Sequence, residues 1–118
     1  SIDTEIVDSV KSRIKPDDKV VVFLDSNHTH DHVLMELELY APLVPKGSYC
    51  VVFDTIVEDM VDVDFSNRPW SKGDNPKTAV RAYLEQRNIR GGPQFVIDKV
   101  IENKLLITVA PGGFLKRV

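Results

Sequence analysis

Lys19–Val20–Val21–Val22–Phe23–Leu24–Asp25–Ser26–Asn27–His28 is an unbroken apolar run that stops abruptly at four polar residues. Short, continuous runs rich in β-branched side chains suit strands buried on both faces of a parallel sheet. The polar tetrad then falls at the carboxyl end of the strand, the edge where open α/β sheets bind ligands. Ser48–Tyr49–Cys50–Val51–Val52–Phe53–Asp54–Thr55 repeats the pattern. One helix-like segment lies between the two runs. The reading is β-α-β, with Asp25 and Asp54 at equivalent strand ends.

That connecting segment spans Thr29 to Tyr40. Thr29 offers a helix cap, Asp31 suits the positive end of the helix dipole, and Val33, Leu37, Tyr40, Ala41 and Val44 form one apolar stripe. Glu36 and Glu38 are expected to point away from it. Pro42 and Pro45 stop the helix, and Lys46–Gly47 turns into the second strand. Upstream, Ile2 to Ile14 reads as a helix with Ile6, Val7, Val10 and Ile14 on one face.

Downstream of Asp54, Glu58, Asp59, Asp62 and Asp64 alternate with apolar residues, and a long turn-rich stretch runs from Phe65 to Asn75. Connections of this size are functional lids or disordered segments. Arg68 and Trp70 point to docking. Asn75–Pro76 starts a further helix, running to about Asn88 with Val80, Tyr83 and Leu84 inward. Phe95–Ile101 and Leu105–Val109 read as two strands of a hairpin, with Leu105–Val109 antiparallel beside Tyr49–Phe53. Pro111–Gly112–Gly113 is a turn and Phe114–Val118 a short tail.

The 118 residues make a single domain, 1–118, with 42% hydrophobic and 28% charged residues, ordinary proportions for a globular chain. A net charge of −3 with no Lys/Arg cluster argues against a nucleic-acid surface. No apolar stretch approaches the roughly 20 residues of a membrane helix. The polar, acidic start carries no signal-peptide pattern. The single cysteine, Cys50, sits within an apolar run as a core residue; the absence of any internal pair fits a reducing, cytoplasmic setting.

Several words of sequence resemble the cephalosporin hydroxylase family, which has the class I S-adenosylmethionine-dependent methyltransferase fold and includes rhamnosyl O-methyltransferases. They are Leu24–Asp25–Ser26–Asn27–His28–Thr29, Glu36–Leu37–Glu38–Leu39–Tyr40–Ala41–Pro42–Leu43–Val44, Pro45–Lys46–Gly47–Ser48–Tyr49 and Pro111–Gly112–Gly113–Phe114–Leu115–Lys116–Arg117–Val118. The resemblance covers the whole chain. It implies an α/β, Rossmann-like methyltransferase half, with parallel strands, a C-terminal antiparallel element and helices on the sheet faces. It also implies S-adenosylmethionine as cofactor and a small-molecule or sugar hydroxyl as acceptor.

Two departures stand out. The chain has no strand–GxGxG–helix unit, so it looks like the carboxyl-terminal half of a member, inactive alone. Family members carry an acid where this sequence has Asn27, and a Glu–Asp pair where it has Phe53–Asp54; those carboxylates form a magnesium site. Magnesium prefers anionic oxygen ligands, so a site made of Asp25, Asn27 and Asp54 is expected to be weakened.

Each candidate residue has two readings. Asp25, Asn27 and Asp54 share a cation, or Asp25 and Ser26 cap the following helix. His28, with Asp25, is the catalytic base toward an acceptor hydroxyl, since imidazole titrates near neutrality, or it is an exposed histidine at a helix start. His28 and His32, four apart, face one way if the helix starts early. Glu58 and Asp59 reach back to the strand ends or form a solvated acidic face. Trp70 and Arg68 stack on a substrate ring or pin the loop to the core. Without the other half of the fold, Val20–Leu24 is an unprotected apolar edge, so a homo-oligomer joined near that strand is expected.

Overall fold

A computed structural model describes residues 1–118. The elements are α1 (Thr4–Arg13), β1 (Val22–Leu24), α2 (His30–Tyr40), β2 (Tyr49–Val52), α3 (Pro76–Arg90), β3 (Phe95–Ile97), α4 (Lys99–Leu105) and β4 (Phe114–Arg117), with short 3-10 turns at Ala41–Leu43 and Thr55–Asp59. The four strands form one mixed sheet in the order β1-β2-β4-β3.

β1 and β2 are parallel neighbours, with Val22 opposite Cys50 and Leu24 opposite Val52. Their carboxyl ends therefore lie on one edge of the sheet, about 4.8 Å apart. Val33, Leu37, Ala41 and Val44 from α2 and its following turn meet Ala79, Val80 and Tyr83 of α3 over Leu24, Cys50, Val52, Phe95 and Leu115. This is the main core, and the stripe on α2 supplies its centre. The thiol of Cys50 lies inside it, pushed up to about 12 by burial, so it serves as a small core residue.

The expected hairpin of Phe95–Ile101 with Leu105–Val109 does not form. β3 ends at Ile97, because the Asp98 carboxylate accepts from the amides of Val100 and Ile101 and starts α4. Side-chain capping by Asp outcompetes continuation of a strand that would have to pair one residue further on. Leu105, Leu106, Ile107 and Val109 remain exposed, and Leu106 has a left-handed backbone. The supposed tail takes the inner position instead. β4 runs antiparallel to both neighbours, with Leu115 opposite Cys50 and Ile97, and Leu115 is fully buried. The last strand thus inserts antiparallel beside its predecessor, the arrangement the family resemblance implies.

Two smaller expectations are also corrected. β1 covers Val22–Leu24 only, and the carbonyl of Val20 is taken by the Ser48 hydroxyl. Glu36 does not point away from the core: it is 2% exposed, while Glu38 accepts a two-pronged hydrogen bond from Arg87 at 2.7 and 2.9 Å. The outer edge of β1 has no strand partner. Val21 and Phe23, on the face opposite Val22 and Leu24, are largely exposed, and the Phe23 ring meets that of Phe53 at 6.2 Å.

Candidate functional site

Apolar side chains carry β1 and β2 into the core, and each strand ends at an aspartate just past the last paired residue. Asp54 takes a left-handed conformation, φ +53°, unusual for a residue with a side chain. Its carboxylate reaches His28, with Oδ2 3.2 Å from Nε2. Asp25 Oδ1 lies 3.7 Å from the same nitrogen. One donor atom from each of Asp25, His28 and Asp54 falls within 4.8 Å of the others. Asp25 is open to solvent, while His28 and Asp54 are partly shielded.

Trp70 supplies the shielding. Its ring stands edge-on to His28, centroids 4.8 Å apart, and the Arg68 guanidinium lies over it at 5.5 Å. The loop reaches this place because it is tied at its far end. Glu58 accepts from the Gly73 amide at 2.8 Å and from the Asn75 amide group at 2.6 Å. These hydrogen bonds, the Gly73 amide foremost and Asn75 next, hold the Glu58 carboxyl below the usual carboxylate range. Asn75 is fully buried and closes a capping box with Thr78 at the start of α3. Asp74 accepts from the His30 amide at 2.7 Å, and His30 Nδ1 meets the Thr78 hydroxyl at 2.8 Å. The loop is thereby joined to the starts of both α2 and α3. The Asn75–Pro76 helix start was visible in the sequence; Glu58 and Asp74 as loop anchors carried no local signal, since their partners lie 15 and 44 residues away.

The other expected residues fall elsewhere. Asn27 Oδ1 accepts from both the amide and the hydroxyl of Thr29 at 2.9 Å, an Asx turn that sets the start of α2. His32 does not join His28: its Nε2 lies 3.2 Å from the Ser26 hydroxyl and 3.5 Å from Glu36. Asp59 pairs with Lys77.

A family profile described as rhamnosyl O-methyltransferase/CmcI matches residues 1–118. The chain belongs to this family. It is 33% identical over 99 residues to the rhamnosyl O-methyltransferases of Mycobacterium bovis (strain BCG / Pasteur 1173P2) and Mycobacterium tuberculosis (strain ATCC 25618 / H37Rv). That similarity covers 84% of this chain and 36% of each relative, so the chain spans about a third of their length. No solved structure matches it.

Methyltransferases of such families use S-adenosylmethionine, but nothing in this chain builds a glycine-rich cofactor loop. Gly91 and Gly92 follow α3, and Gly112 and Gly113 lead into β4. The donor set also fits magnesium poorly. Two carboxylates and one imidazole face one another, the Asn27 oxygen is engaged in its own turn, and Phe53 packs on Phe23. Magnesium favours an all-oxygen shell, whereas mixed nitrogen and oxygen donors suit zinc or manganese better. No helix is long and apolar enough to cross a membrane.

Proposed function

We propose that this chain is the acceptor-binding part of an S-adenosylmethionine-dependent O-methyltransferase that acts on a hydroxyl of a sugar or other small molecule. The observation that carries this is the 3.2 Å contact between His28 Nε2 and Asp54 Oδ2 at the ligand-binding edge of the sheet. A hydroxyl accepting a methyl group must lose its proton, and an imidazole paired with carboxylates is suited to take it. His28 removes the proton; Asp54 and Asp25 orient the ring and offset the charge it gains. Trp70 offers a ring-sized apolar face beside His28, and Arg68 a cation that can donate to acceptor oxygens. The cofactor supplies the methyl group, and its cradle must come from outside these 118 residues. No step is assigned to magnesium.

The test is methyl transfer to rhamnose-bearing acceptors by a longer protein that joins this sequence to a strand–glycine loop–helix unit. Transfer that falls sharply in His28→Asn supports the reading; transfer unchanged by that substitution overturns it. The 118-residue chain alone is expected to be inactive and to give no heat with S-adenosylmethionine in calorimetry.

The unpartnered outer edge of β1 favours a second reading, in which the chain persists as a non-enzymatic homo-oligomer. Phe23, 64% exposed on that strand, is an apolar contact for a second copy. The single reduced, buried cysteine supports a cytoplasmic location under either reading.

A further inference from the structure

Asp25 and His28 sit on the link between β1 and α2, and no main-chain group of Asp25–His28 joins a backbone hydrogen bond. The last such bond before them is to the Leu24 carbonyl, from the Phe53 amide at 3.0 Å; the first after them is to the Thr29 carbonyl, from the Val33 amide at 3.1 Å. Side chains therefore set the shape of the link. Asn27 supplies a local hold on Thr29. Ser26 supplies a distant one: its hydroxyl donates to Glu36 Oε1 at 2.9 Å, ten residues along the chain.

Burying Glu36 is unfavourable in itself. Its side chain is 3% exposed, and Oε2 is buried with no hydrogen-bond partner. The imidazole facing it is that of His32, with Nε2 3.5 Å from Glu36 Oε1 and 3.2 Å from Ser26 Oγ. The serine hydroxyl has one hydrogen, given to Glu36, so His32 carries a hydrogen on Nε2 and donates it. These three side chains tie the link to the second turn of α2. The Ser1 nitrogen also lies 2.9 Å from Oε1.

His28 needs a fixed ring. Its Nε2 faces Asp54 and Asp25 at 3.2 and 3.7 Å, carboxylates that only accept hydrogen bonds. Nε2 therefore carries the hydrogen, and Nδ1 is the atom left to take a proton from an acceptor hydroxyl.

We propose that Glu36 is a positioning residue for methyl transfer: through Ser26, with His32 beside it, it fixes the β1–α2 link so that His28 keeps Nε2 on Asp54 and presents Nδ1 to the acceptor. This rests on the methyl-transfer reading. Glu36 acts only through Ser26, so its removal lowers the rate without loosening substrate binding.

The experiment uses the protein that joins this sequence to a strand–glycine loop–helix unit, with that unit ahead of Ser1, so that position 1 carries an ordinary amide. Ser26→Ala and Glu36→Met should each lower kcat about tenfold, with KM for acceptor and cofactor within about twofold of the parent. The double substitution should fall no further than the larger single effect, because both remove one link. Glu36→Gln keeps an oxygen for Ser26 and should recover most of the rate. Glu36→Met should melt no lower than the parent, since an apolar side chain of similar size replaces a partly unsatisfied charge. In protein labelled with 15N at histidine, neutral His28 should be the Nε2–H tautomer; Ser26→Ala and Glu36→Met should draw its two nitrogen resonances together, and Glu38→Gln should leave them in place. A kcat within about twofold of the parent in both variants, a change in KM alone, additive losses in the double variant, or unmoved His28 resonances overturns the proposal. If His28→Asn leaves transfer intact, the methyl-transfer reading fails, and the His28 resonances still decide whether Glu36 sets the ring. If Glu36→Met fails to fold, Ser26→Ala, at an exposed residue, decides on rate and resonances together.

Discussion

Gly113 packs so closely on Val52 that a Cβ built on it would lie 2.1 Å from the Val52 carbonyl oxygen, while the Val52 amide donates to the Gly113 carbonyl at 2.9 Å. Only a residue without a side chain lets β4 enter the sheet beside β2 at this point. Gly113→Ala must move backbone against backbone, and a loss of about 2 kcal/mol or more is expected. Urea denaturation should show it as a lower midpoint with an unchanged slope. Gly112→Ala, strained by φ +80° but meeting its nearest atoms only at 3.9 and 4.0 Å, should lose about 1 kcal/mol.

In the joined protein, His28→Asn should lower kcat for methyl transfer by about 10²-fold or more, the usual contribution of a positioned base. Asp54→Asn keeps the shape while removing the charge 3.2 Å from the imidazole, and a smaller drop of about tenfold is expected. Initial rates at saturating acceptor separate the two. An Asp54→Asn variant as fast as the parent would rule out the orienting role.

Magnesium is expected to bind weakly and manganese more tightly, since Asp25, His28 and Asp54 offer a nitrogen among their donors. The double substitution Asn27→Asp and Phe53→Glu should strengthen magnesium binding by calorimetry. Tight magnesium binding by the unsubstituted chain would contradict this account.

Glu58 ties the Trp70 loop through hydrogen bonds that lower its pKa in the folded state. A depressed carboxylate contributes stability above its unfolded value, near about 4.3, and that contribution is lost as the pH falls through the folded value. Acidification below about pH 4 should therefore release the loop and shift Trp70 emission to the red. Glu58→Gln should lack that acid transition. An acid-induced shift identical in both proteins would place the switch elsewhere.

Phe23→Lys puts a charge on the free β1 edge. If copies associate there, light scattering should report an oligomer for the unsubstituted chain and a monomer for the variant. A monomer in both, at high concentration, removes the homo-oligomer reading.

The β1-α2-β2 unit was legible in the sequence, because two apolar runs and the Val33, Leu37, Ala41 and Val44 stripe each satisfy one local periodicity, and the strand ends Asp25 and Asp54 come with them. The residues that bear the family resemblance were legible for the same reason, as contiguous words. The tertiary structure decided what depends on partners distant in the chain. Phe114–Arg117 and Leu105–Val109 are both short, and the latter is the more apolar; the closeness of Gly113 to Val52 and the burial of Leu115 gave the inner place to the former. Asn27, at a strand end, has its side-chain oxygen engaged by Thr29 two residues on. His28 meets Trp70 because Glu58 and Asp74 tie down a loop across 15 and 44 residues. Glu36, polar and next to the stripe, reads as solvated until Ser26 and His32 converge on it in space. Periodicity records which way a side chain points on its own element; what waits for it there is set by packing between elements, and that is absent from any local pattern.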